Sequence, residues 1–123
     1  MAHEPHLPQR DNQRASSEAI NAAGILADLV SAAFAVHPEA VRGPQRGGKA
    51  TAFARQVAMY LSHTRLGLSY TTVGVLFGRD RTTAAHACRA VEDRREDVTV
   101  DAVVGCVERM VDQLPPIPPA ERG

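Results

Sequence analysis

Apolar residues recur at spacings of three and four in five separate stretches of the chain, and no β-branched run alternates with period two. The first stretch sets Ile20, Ala23, Ala27, Val30 and Phe34 on one face and predicts a helix over 17–36. Ser16 or Ser17 can cap it, and Glu18 falls in the first turn, where the helix dipole favours an acid. His37-Pro38 closes it, because the residue before a proline is pushed out of the α region. The second stretch, Phe53, Val57, Tyr60 or Leu61, and Thr64, predicts a helix over 50–65 that stops before Gly67. A short third helix over 70–77 is capped by Ser69 and turns Val73, Leu76 and Phe77 inward. Gly78 suits the left-handed residue that follows a helix end. Asp80 caps a fourth helix over 81–95, with Ala84, Ala87, Cys88 and Val91 as its apolar stripe. Asp97 or Thr99 introduces a last helix over 100–114, with Val103, Val107, Met110 and Leu114 in register. Five helices and no strand predict an all-α helical bundle.

Composition supports that architecture. The chain has 123 residues, enough for one small domain. Hydrophobic residues make up 44% of it but aromatics only 4%, and Trp is absent, so the core must rest on small aliphatic side chains. Such a core suits closely approaching helices better than a sandwich. The segment 42–49 holds three Gly and one Pro and reads as a loop decorated by Arg42, Arg46 and Lys49. Residues 1–15 read as a disordered arm, 16–114 as the folded domain and 115–123 as a Pro-rich tail. No stretch approaches the roughly 18 apolar residues that span a bilayer, and the polar start has no signal-peptide core. The expected location is therefore cytoplasmic. Cys88 and Cys106 are expected to be small buried hydrophobes.

Net charge is zero, which argues against indiscriminate binding of polyanions. The distribution changes the picture. Residues 42–95 hold ten Arg or Lys against three acids, a balance of +7, whereas 1–41 carries −3 and 96–123 carries −4. A basic block between acidic flanks is a footprint expected of phosphate contact, and also of a merely solvated face.

The unit with the most chemical content is a short helix, a tight turn at Gly78-Arg79-Asp80 and a longer helix, which is helix-turn-helix spacing. Small residues on one face of the longer helix allow close packing. Its other face begins with Arg79, Arg81, Thr82, Thr83 and His86 and continues to Arg89. Arginine can bond guanine O6 and N7 together, Thr offers a hydroxyl and a methyl, and Asp80 can accept from cytosine N4. The N–H groups at a helix start also suit phosphate.

Three runs carry a resemblance: Ala54-Arg-Gln-Val-Ala-Met-Tyr-Leu61, Leu68-Ser-Tyr-Thr-Thr-Val-Gly74 and Phe77-Gly-Arg-Asp-Arg-Thr-Thr-Ala-Ala-His-Ala-Cys-Arg89. In order and spacing this resembles the C-terminal DNA-binding domain of the bacterial replication initiator DnaA. The resemblance implies a Trp-repressor-like helix-turn-helix with flanking helices. It implies that Asp80, Arg81, Thr82, Thr83 and His86 read bases in the major groove. It also implies that the basic loop, Arg46 to Lys49, enters the adjacent minor groove and that Gln56 lies near phosphate. Arg81 replaces the usual His of that pattern, Gly47 stands near the place of a minor-groove Arg, and the turn has one Gly. No G-x-x-x-x-G-K-[ST] occurs, so the resemblance covers no ATPase module and implies no bound nucleotide.

No cofactor is called for. His86 and Cys88 are two apart on a helix and point to different faces, and no second pair stands at zinc spacing. His3, His6, His37 and His63 read as surface residues, and Ser16-Ser17 has no base at a spacing that would make a nucleophile. Arg94-Arg95 suits either phosphate contact or a helix C-terminus. The sequence thus predicts a non-enzymatic, sequence-specific binder of double-stranded DNA that regulates replication initiation or transcription. The alternative is an interaction module that grips the full-length initiator or another protein through helices 17–36 or 100–114, and a weaker one is an antitoxin-like or phage-borne regulator.

Overall fold

A computed structural model describes residues 16–44 and 47–114. The expectations for 1–15, for Arg46 and for 115–123 lie outside the described residues. Among the described residues six helices follow one another: α1 (Ser16–Ala33), α2 (Pro38–Arg42), α3 (Lys49–Thr64), α4 (Tyr70–Leu76), α5 (Arg81–Arg94) and α6 (Val98–Asp112). Among the described residues there is no strand, and no helix is long and apolar enough to cross a membrane.

Helix α3 is the hub. It packs against α1, α2, α4 and α5, and from Ala54 to Ser62 only Gln56 escapes full burial. Two hydroxyls in this small-residue core close on their own helices: Ser62 Oγ donates to Ala58 O at 2.8 Å and Ser31 Oγ to Ala27 O at 2.7 Å. Bonding back one turn leaves neither hydroxyl unsatisfied.

The buried stripes of the outer helices keep Ala23, Ala27 and Val30 in α1 and Val107 in α6 as expected, and differ by one residue at Ile20 and Val103. In α1 the buried face is Ala19, Ala23, Leu26, Ala27 and Val30, and Ile20 is 50% exposed. In α6 it is Val104, Val107 and Val111, and Val103 is 39% exposed. Both helices carry apolar residues nearly all round, so several phases satisfy the period equally. Tertiary contact chose the one that brings the alanines of α1 against the hub. Cys88 is buried as expected, but Cys106 is exposed on the outer side of α6. Burial, with Glu92 nearby, pushes the Cys88 thiol up to about 11.

The short helix α2 falls where the sequence offered only a stop. His37 caps it, its ring accepting from the Glu39 N–H at 3.4 Å, and Pro38 occupies the first turn, where no N–H is needed. A helix of five residues shows no period, and long-range bonds hold it. Val41 is fully buried. Arg55 of α3, only 6% exposed, donates from Nε to Val41 O at 3.0 Å and from Nη2 to Ala40 O at 2.7 Å. Arg42 reaches α1, where it meets Gly24 O at 3.2 Å and pairs with Asp28.

At the other end, Arg95 joins α5 to α6 and α3. It donates to both carboxylate oxygens of Glu108 (2.7 and 3.1 Å), to Asp101 (2.6 Å) and to the Tyr60 hydroxyl (3.2 Å). The Glu108 bonds, ahead of the others, raise its pKa further above an already high value. Arg65 adds pairs to Glu108 and Asp112 at 3.7 and 3.4 Å. The expected helix over 100–114 begins two residues earlier, because Asp97 caps it by accepting from Thr99 and Val100 N–H.

Candidate nucleic-acid interface

The turn between α4 and α5 is built by backbone bonds. Ser69 caps α4 by accepting from Thr72 N–H at 3.1 Å. At its far end the Gly78 N–H bonds to Val75 O at 3.2 Å and the Arg79 N–H to Gly74 O at 2.7 Å. That pair of bonds is a Schellman closure, which requires a left-handed residue. Gly78 supplies it with φ +68°. Gly74 is needed for a different reason. A Cβ there would lie 2.6 Å from Arg79 O and 2.9 Å from Asp80 O, so the turn backbone rests directly on the backbone of α4.

Asp80 then starts α5, its Oδ1 accepting from Thr83 N–H at 2.8 Å. That backbone hydrogen bond, first among its causes, holds the Asp80 carboxyl below the ordinary value. Behind the cap, Ala84, Ala87, Cys88 and Val91 are buried. Arg81, Thr82, Thr83, His86 and Arg89 are exposed, as the phase of the apolar stripe requires.

An open groove of about 550 Å³ runs between α3 and α5. The expected residues Gln56, Arg79, Thr83, His86 and Arg89 all line it, together with Arg55. Asp80, Arg81 and Thr82 stand outside the groove at the exposed start of α5, and Lys49 is exposed at the first residue of α3. Arg79 is half-buried, and its Nη1 donates to Gly43 O and Phe77 O, each at 2.7 Å. Arg55 was not singled out in the sequence. Burial, and then the positive charge of Arg79, lower its pKa. A guanidinium is legible as surface chemistry by residue type. Its burial here depends on carbonyls 14 and 15 residues earlier in the chain.

Arg94 stacks over the Phe53 ring at 4.1 Å, and Arg95 is held by acids. Neither is laid out toward the groove described above. His63, expected at the surface, is half-buried, stacked on Tyr70 with centroids 4.2 Å apart and its Nδ1 2.7 Å from Leu68 O. The segment Gly43 to Ala50 comes one residue short of a phosphate-cradling loop, with Ala50 where Ser or Thr would stand. A helix, α2, precedes it and not a strand, so the context of that motif is absent.

The profile of the bacterial DnaA protein helix-turn-helix matches residues 25–91. The chain belongs to the DnaA helix-turn-helix family. The match runs from within α1 to Val91, the last buried residue of α5, and so contains the whole groove apart from Asp93. Membership implies DNA binding, and the domain is all-helical among the described residues. Chromosomal replication initiator protein DnaA 1 of Protochlamydia amoebophila is 36% identical over 101 residues, 81% of this chain and 22% of that protein. DnaA of Desulfotalea psychrophila is 32% identical over 91 residues, 73% of this chain and 19% of that protein. DnaA of Lactococcus lactis subsp. cremoris is 39% identical over 69 residues, 54% of this chain and 15% of that protein. The chain thus spans about a fifth of the length of the DnaA proteins it matches.

Proposed function

We propose that this chain binds double-stranded DNA with sequence preference and regulates replication initiation or transcription by occupying its sites. The observation that carries the reading is the start of α5. Arg81, Thr82, Thr83 and His86 are exposed there together, while Ala84, Ala87 and Val91 fix the rotation of the helix from behind. The N-terminal end is the part that a groove-bound recognition helix presents to bases. In this reading Arg81, Thr82, Thr83 and His86 meet base edges, with Asp80 facing the groove as it caps the helix. Gln56 and Arg89 flank phosphate, and Lys49, with Arg46, serves the minor groove. These contacts need no nucleotide and no catalytic step. Such a protein acts in the cytoplasm, at the nucleoid.

A second reading is favoured by one observation. Ile20, Ile25, Val98 and Val103 leave apolar surface on the helices that flank the helix-turn-helix. That surface suits a protein partner, and a replication initiator is the candidate that the family membership suggests. Salt separates the two readings, since each phosphate contact contributes about 0.9 to the slope of log affinity against log salt.

The test is a competition between a selected site and a scrambled one, with Thr83→Ala and His86→Ala checked for folding by circular dichroism. Each lost base contact is expected to weaken binding to the selected site by about 1–3 kcal/mol, and binding to the scrambled site by less. Folded variants that keep the wild-type ratio of specific to non-specific affinity would overturn base reading by α5. A wild type with no sequence preference and no salt dependence would leave the interaction module as the better account.

A further inference from the structure

The groove between α3 and α5 is not uniform in charge. Arg79, just before α5, and Arg55 line it, each with its guanidinium fixed to backbone carbonyls. Arg89 lines it further along α5. One turn beyond Arg89, Asp93 lines it too, the one carboxylate to do so among the described residues. That carboxylate is exposed and makes no ion pair or side-chain hydrogen bond among the described residues. Arg89 stands four residues before it, the less favourable order for an ion pair along a helix. Arg94, the next cation, lies over the Phe53 ring at 4.1 Å. Asp93 also sits in the last turn of α5, where the helix dipole disfavours an acid. Neither the helix nor an ion pair uses this charge, and what it faces is the groove.

We propose that Asp93 is a specificity-determining residue that closes the far end of the groove to a phosphate backbone. The inference rests on the DNA-binding reading given above. Thr83 and Asp93 both line the groove and stand about 15 Å apart along α5, at about 1.5 Å per residue. That length can meet several phosphates of one strand, which follow at about 3.4 Å of duplex axis each. Random DNA is held by phosphate contacts alone, and it is free to shift until it gathers as many cations as it can. A groove cationic throughout would let it lie along the whole of α5. A carboxylate at the far end repels it there, over a Debye length of about 8 Å at physiological salt. At a preferred site the base contacts at the start of α5 set the register, so the backbone has no freedom to move toward Asp93. The charge therefore weakens random binding more than site binding.

The test compares the full chain with Asp93→Asn, Asp93→Glu and Glu92→Gln, each checked for folding, on a selected and a scrambled duplex across a salt series. Glu92 is exposed in the same turn of α5 but does not line the groove. Glu92→Gln thus matches the change in net charge and at the helix end while leaving the groove as it is. Asp93→Asn is expected to bind the scrambled duplex about threefold more tightly, the scale of one exposed charge interaction. Its salt slope on that duplex is expected to rise by up to about 0.9, as for one added phosphate contact. Affinity for the selected site is expected to change little, so the ratio of specific to non-specific affinity falls. Asp93→Glu and Glu92→Gln are expected to keep the wild-type ratio. Equal effects of Asp93→Asn and Glu92→Gln would reduce the result to net charge and overturn the proposal. So would an Asp93→Asn protein that keeps the wild-type ratio, whether or not both affinities rise. A wild type without salt-dependent binding to either duplex would overturn the DNA-binding reading itself, and the proposal with it.

Discussion

At the C-terminal end of α5, Arg95 is surrounded by Glu108, Asp101 and the Tyr60 hydroxyl, all within 3.2 Å. At the N-terminal end Arg81, and past the middle of the helix Arg89, have no carboxylate partner among the described residues. The same residue type serves as a structural strut at one end and as unneutralised charge at the other. Proximity of acids on a neighbouring helix decides which. Residues 42–95 carry +7 in the sequence, but Arg42, Arg65 and Arg95 are paired with acids lying outside that block. On the described part of the block these pairs leave the charges of Lys49, Arg55, Arg79, Arg81, Arg89 and Arg94, of which Arg55, Arg79 and Arg89 line the groove between α3 and α5. A protein of zero net charge can in this way present a cationic edge.

The largest effect expected on this contrast comes from Gly74→Ala. The added methyl would meet backbone at 2.6 Å, which no side-chain rotation relieves. Overpacking of this kind costs about 1–3 kcal/mol, and the upper part of that range is expected here. Urea unfolding reads the stability loss, and DNA competition is expected to show that the site preference falls with it. A Gly74→Ala protein of wild-type stability would mean that the turn can move off α4.

Arg95→Ala tests the other end. It leaves Glu108, a mostly buried carboxylate, without its two strongest donors. A loss of about 2 kcal/mol is expected, as for hydrogen bonds to charged groups, with the ratio of specific to non-specific DNA affinity unchanged. A changed ratio in a folded variant would couple the strut to the reading end and break the contrast.

The smallest effect concerns the Asp80 cap. Its folded pKa lies below the unfolded value, so the stabilisation is complete above an unfolded pKa of about 3.9 and is lost as pH falls through the folded value. Comparing melting temperatures of wild type and Asp80→Asn through the acid range is expected to show a difference that narrows as pH falls. A difference that stays constant with pH would assign the cap no charge component.

How much of this was legible in the sequence follows from the range of each interaction. The caps at Ser69 and Asp80 and the left-handed Gly78 were readable because their partners lie within three residues, and Asp97 was one of two candidates for the last cap. The exposed face of α5 was readable because Ala84, Ala87, Cys88 and Val91 leave one phase only. Helix α2 was not, since five residues give no period and its support comes from Arg55. The full membership of the stripes in α1 and α6 was not, since Ile20 and Val103 satisfy the same spacing as the residues that proved buried. Nor could the sequence sort the arginines, because their partners sit on other helices.

The seam of α5 consists of Ala84, Ala87, Cys88 and Val91, small side chains that sit wholly on one side of the helix. Arg81, Thr82 and His86 are exposed and stand outside the buried cluster, so what they are enters the packing problem little. Vocabulary and grammar are thereby kept apart: the residues that would name a base can be rewritten one at a time while the scaffold that aims them stays as it is. Arg81, standing where the family pattern has His, would be one such rewritten word.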